Sequence, residues 1–147
     1  MPNTTSTPAR ILIAADSPLE ALALENQLCA AGHPNVRVTS DGREIERLHE
    51  KWPFVLLVLD MGIRSQSSLD VLEQLREHIA RRQLAVLALT DVGDEVAQER
   101  ALNLGAVGVF TRPFTRSEIF LRVTGALASL PEWRGDAGGG NAFSPIQ

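Results

Sequence analysis

Four polar side chains stand at the ends of apolar runs, and together they could do chemistry. Asp16 follows Ile11-Leu-Ile-Ala-Ala15, and Asp60 follows Phe54-Val-Leu-Leu-Val-Leu59. Thr90 follows Leu84-Ala-Val-Leu-Ala-Leu89, and Arg112 stands just beyond Val107-Gly-Val-Phe110. Two carboxylates, a hydroxyl and a cation suit a hard metal ion and an oxyanion. Magnesium takes oxygen ligands and retains several waters, so one or two carboxylates with a backbone carbonyl suffice. A cation from another strand then suits a phosphoryl group on one carboxylate. Each residue also has a plainer reading. Asp60 and Asp16 could cap loops or helices, Thr90 could simply end a strand, and Ser17 reads as a helix cap.

These residues need elements to bring them together. The run before Asp60 has the texture of a strand buried on both faces. Strands are expected at 11–15, 36–39, 54–60, 84–89 and 107–110, with 36–39 at an edge. Helices separate them. The first opens with Ser17-Pro18 and a capping box completed by Glu20, turns Ala21, Leu24, Leu28 and Ala31 inward, and stops at Gly32. The second runs over 43–50, with Ile45 and Leu48 inward. A third, capped by Ser67 or Ser68, carries Leu72, Leu75 and Ile79, and a fourth spans 94–104 before Gly105. The last has a capping box from Thr115 to Glu118 and an inward stripe of Ile119, Val123, Ala126, Leu127 and Leu130. Helical crossovers force parallel pairing, and right-handed connections then give a three-layer α/β sandwich. In such a sheet ligands bind beyond the C-terminal strand ends, where all four polar residues open.

The set "ILIAAD", "VLLVLD", "ALT" and "GAVGVFTRPF", in this order and spacing, resembles the receiver domain of two-component response regulators over residues 10–130. The resemblance implies a flavodoxin-like (βα)5 fold with strand order 2-1-3-4-5, for which a chemotaxis receiver is a known example of the switch-point rule. It makes Asp60 the phosphoacceptor, with magnesium held by Asp16, Asp60 and the Gly62 carbonyl. Thr90 and Arg112 would contact the phosphoryl group, Thr90 and Phe110 would act as the switch pair, and Pro113 would follow a cis bond. The implied partners are a histidine kinase or phosphotransfer protein and a downstream protein target, and the last helices would permit a homodimer. Such a protein is not an enzyme beyond its own phosphorylation and dephosphorylation.

Several positions depart from that pattern. Ala15 replaces the second acid, which should weaken magnesium binding. Arg112 stands where the family has lysine, exchanging a compact ammonium for a planar fork; Lys51 is the only lysine in the chain, so composition bias also favours arginine there. Asp91 follows Thr90 where a small residue is usual, and is expected to replace part of the missing acid. The loop Met61-Gly-Ile-Arg-Ser-Gln66 lacks the family's proline and glycines. These departures keep a second function open: a degenerate receiver acting as a phosphorylation-independent interaction module.

Composition narrows the remaining choices. The chain has 147 residues, 44% apolar and 22% charged, as expected of one globular domain. A net charge of −4 gives no electrostatic case for nucleic acid. With Cys29 alone, neither an internal disulfide nor a multi-cysteine zinc site is available, and on an apolar helix its thiol should be packed. No signal peptide or membrane span is visible, so the expected location is cytoplasmic with no membrane partner. Residues 1–9 read as a disordered leader and 131–147 as a flexible Gly/Pro-rich tail, leaving no further output domain. A flavin- or nucleotide-binding enzyme would need a glycine-rich loop after the first strand, and Ala15-Asp-Ser-Pro-Leu-Glu20 has no glycine. His33, His49 and His78 read as surface residues, and Arg81-Arg82 as a solvated turn.

Overall fold

A computed structural model describes residues 8–131. The sheet consists of β1 (Arg10–Ala14), β2 (Asn35–Thr39), β3 (Leu56–Asp60), β4 (Ala85–Asp91) and β5 (Gly108–Arg112), all parallel, in the order β2-β1-β3-β4-β5. Between and after them lie α1 (Pro18–Ala30), a 3-10 turn (Gly42–Glu44) with α2 (Ile45–Lys51), α3 (Ser68–Gln74), α4 (Arg76–Ala80), α5 (Glu95–Asn103) and α6 (Arg116–Ala128). This is the expected flavodoxin-like sandwich, with β2 at one edge and β5 at the other.

Every residue of β3 is buried, because both faces of the sheet are covered. Ile11, Ile13, Val58 and Leu87 pack against Leu24 and Leu28 of α1 and Ile119, Val123 and Leu127 of α6. Leu12, Leu57, Leu59 and Val86 point the other way, onto Ile45, Val71, Leu72, Leu75 and Ala101. Burying one such side chain stabilises the fold by about 1.5–3 kcal/mol, so the central strand anchors whatever sits at its end.

Local differences from the sequence expectation have local causes. The third helix is two segments, α3 and α4, bent at Leu75 (φ −95°, ψ 6°), whose side chain is fully buried. Strand β5 continues through Thr111 and Arg112, so the sheet itself fixes Arg112 opposite Asp91. At the start of α1, Ser17 Oγ accepts from the Glu20 amide at 3.2 Å, but the Glu20 side chain does not return to the cap. The Thr115–Glu118 capping box forms in both directions. Ala31 and Cys29 are exposed rather than packed, since Leu28 takes the inward position in the last turn. Gly32 and Gly105 end their helices at φ 100° and 108°.

Two of the histidines are also more than surface residues. His49 packs edge-on against Phe54 and lies 4.6 Å, ring to ring, from His78. Apart from Pro8, Ala9 and Pro131, the expected leader and tail lie outside the described residues; Ala9 is buried against the core. Among the described residues no helix is long and apolar enough to cross a membrane.

Candidate functional site

Asp60 ends β3 with 6% of its surface exposed, where a lone carboxylate must find partners. Its Oδ1 accepts from the Gly62 amide at 2.8 Å, and its Oδ2 lies 3.1 Å from Nη2 of Arg112. A recess of about 260 Å³ opens beside it, lined by Asp60, Gly62, Thr90, Asp91, Asp94 and Arg112. Three strand ends and the loops that follow them therefore meet in one polar hollow.

Arg112 is the hub of this hollow. Its Nε and Nη2 donate to Glu20 Oε2 and Oε1 at 2.7 and 2.8 Å, a planar two-pronged pair. Nη1 donates to Asp91 Oδ1 at 3.0 Å. Hydrogen bonding to Glu20 first, and the charge of Asp60 after it, hold the guanidinium more firmly protonated than usual, against the opposing effect of burial. Asp91, expected to stand in for a missing metal-binding acid, is thus a partner of Arg112. Glu20 is a residue that sequence reasoning missed, because its position fits a capping box equally well.

Thr90 is buried, and its Oγ1 has no hydrogen-bond partner. Buried hydroxyls are nearly always satisfied, so this orphan stands out on the wall of a polar recess. Phe110 is inward, 4% exposed, with its ring edge-on to Phe114 at 5.3 Å. The peptide bond between Arg112 and Pro113 is cis.

Asp16 reaches the same edge but is already engaged. Both its oxygens accept from the Arg64 amide at 3.1 Å, and Oδ2 also accepts from Arg64 Nε at 3.0 Å. The loop that presents Arg64 is closed by serines where proline and glycines were missed: Ser68 Oγ donates to Met61 O at 2.9 Å, and Ser65 Oγ accepts from the Gly42 amide. Ala15 is core, 1% exposed. Among the described residues no group of three or more His, Cys, Asp or Glu side chains is placed to hold a metal ion. With Asp16 paired to Arg64, Asp60 to Arg112 and Ala15 bringing no carboxylate, a magnesium ion at Asp16, Asp60 and the Gly62 carbonyl would have to displace Arg64 first.

Comparison with known proteins gives one consistent answer. The family model described as "Response regulator receiver domain" matches residues 11–124. The chain is 24% identical over 121 residues to a Rhizobium etli protein that carries the chemotaxis name CheY, covering 82% of this chain and 94% of that protein. It is 31% identical over 117 residues to the transcriptional regulatory protein KdpE of Mycobacterium tuberculosis, covering 80% of this chain but only 50% of KdpE. Among solved structures, the chemotaxis protein CheY4 of Vibrio cholerae superposes with a TM-score of 0.74 at 21% identity, over 82% of this chain and all of that one.

Proposed function

The chain belongs to the response regulator receiver domain family, and from that premise we propose that it is a cytoplasmic two-component receiver whose Asp60 accepts a phosphoryl group. The observation that carries this reading is the unpartnered Thr90 hydroxyl, buried in the wall of the recess that Asp60 and Arg112 share. A phosphoryl group on Asp60 adds oxygens that can accept from Thr90 Oγ1 and from the Arg112 guanidinium.

The step is a displacement at phosphorus. An oxygen of the Asp60 carboxylate forms the new P–O bond while the bond to the donor breaks, and the donor, a kinase or phosphotransfer-protein histidine, leaves with the electron pair. Holding Oδ1 on the Gly62 amide fixes the carboxylate plane, and the Arg112 charge offsets that of the incoming group. Receiver domains generally bind magnesium at this place. Here Asp16, Asp60 and the Gly62 carbonyl would be its ligands, and Arg64 would have to leave Asp16 first.

Output would pass through contacts of α5, β5 and α6 with a downstream protein or a second copy. Leu102 on α5, Val107 before β5, and Phe120 and Leu121 on α6 expose apolar surface for such a contact. The second reading, a docking module without phosphoryl chemistry, is favoured by Ala15 and by the ion pairs already closed at Asp16 and Arg112. Intact mass after incubation with magnesium and a small phosphodonor separates the two. One phosphoryl adduct in wild type, absent from Asp60→Asn, supports the receiver; no adduct in either leaves the docking module.

A further inference from the structure

Arg112 makes its shortest hydrogen bonds to Glu20, not to Asp60. The Glu20 pair is two-pronged at 2.7 and 2.8 Å, whereas Asp60 receives one contact at 3.1 Å, from an Nη2 that it shares with Glu20. Both members of the Glu20–Arg112 pair are shielded, their side chains 19% and 28% exposed. The third carboxylate, Asp91, is 74% exposed and correspondingly screened. A lysine at position 112 has one nitrogen and could not span the Glu20 carboxylate edge-on while still reaching Asp60. The fork at 112 and the carboxylate at 20 are therefore a matched pair, joined across 92 positions of sequence.

We propose that Glu20 is the positioning residue of this site, fixing the plane of the Arg112 fork so that Nη2 alone faces Asp60. Without Glu20 the guanidinium loses its only two-pronged partner and turns toward solvent or Asp91. Its charge then no longer stands at a fixed distance from the acceptor oxygen. The consequence for phosphoryl transfer rests on the reading of Asp60 as phosphoacceptor, but the clamp itself does not.

The test uses the full chain and two readouts. The first is the guanidinium Nε–H signal of Arg112 in ¹H–¹⁵N spectra, assigned by its disappearance in Arg112→Lys. It should be resolved and slowly exchanging in wild type and in Asp91→Asn, and lost into the bulk arginine signal in Glu20→Gln. The second is the rate of adduct formation at Asp60 with a small phosphodonor, expected to fall by about tenfold in Glu20→Gln, as for misplacement of a contacting group. Glu20→Gln keeps the backbone amide that Ser17 caps, so the start of α1 is preserved. Arg112→Lys should slow the reaction similarly, and the double variant should be no slower than either single.

A persistent Nε–H signal in Glu20→Gln overturns the proposal, as does an unchanged rate or strict additivity in the double variant. If wild type takes no adduct while the signal still depends on Glu20, the clamp stands and the phosphoacceptor reading fails.

Discussion

The Arg64 amide donates to both carboxylate oxygens of Asp16 at 3.1 Å, while the Arg64 side chain reaches back to Oδ2 at 3.0 Å. A residue 48 positions away thus engages both oxygens of this acid. The guanidinium is 88% exposed, so it is a displaceable partner rather than a permanent one. Magnesium should bind wild type weakly. Arg64→Ala together with Ala15→Asp should tighten binding on the order of tenfold to a hundredfold, since affinity at such sites follows ligand charge count. Calorimetric titration with magnesium chloride decides it, and equal affinities in the two proteins would remove Arg64 and Ala15 from the explanation.

Thr90→Val tests the orphan hydroxyl. Removing a buried, unsatisfied polar atom while keeping the shape should leave the unphosphorylated protein as stable as wild type, or more stable by up to about 1 kcal/mol. Urea denaturation of both proteins reads this directly. A loss of more than about 1 kcal/mol would show that Oγ1 has a partner in the resting state.

Gly105 carries two constraints at once. Its φ of 108° disfavours a side chain, and an added Cβ would lie 2.8 Å from Ile79 Cγ2. Gly105→Ala should therefore cost about 1–3 kcal/mol. Adding Ile79→Ala should destabilise by less than the sum of the two single changes, because it removes the clash but not the backbone strain. Full additivity in denaturant titrations would mean that α4 and the end of α5 do not meet at this point.

Acid should destabilise the fold partly through His49. Burial first, and then the charge of His78, lower its pKa below the ordinary 6.5, with only weak opposition from the Phe54 backbone and Glu50. The unfolded chain then binds the proton more readily than the folded one. The stability from neutral His49 is full above pH 6.5 and is lost as pH falls from there toward the lower folded value. His49→Gln should flatten the fall in melting temperature between about pH 7 and pH 5. An identical slope in the variant would assign that fall to the carboxylates instead.

Asp60, Thr90 and Arg112 could be read from the chain because each follows an apolar run whose length and composition encode a buried strand. Their meeting at one edge follows from parallel pairing, which helical crossovers impose whatever the side chains in between. Helix ends were equally local: Ser17, Thr115, Gly32 and Gly105 act on their own backbone within a few residues. Arg64 and Glu20 were not legible in this way. Each is a long polar side chain whose partner lies on a distant segment, and neither disturbs the hydrophobic period that reveals an element. Glu20 looks like half of a capping box until the sheet order sets β5 on the far side of β4. Only then does the Arg112 fork come within 2.7 Å of it. Periodicity determined which faces turn inward and which residues stand at the strand ends. The partners of the charges at those ends were decided by the tertiary structure, because hydrogen-bond geometry depends on how separate elements are packed and is not written along any one of them.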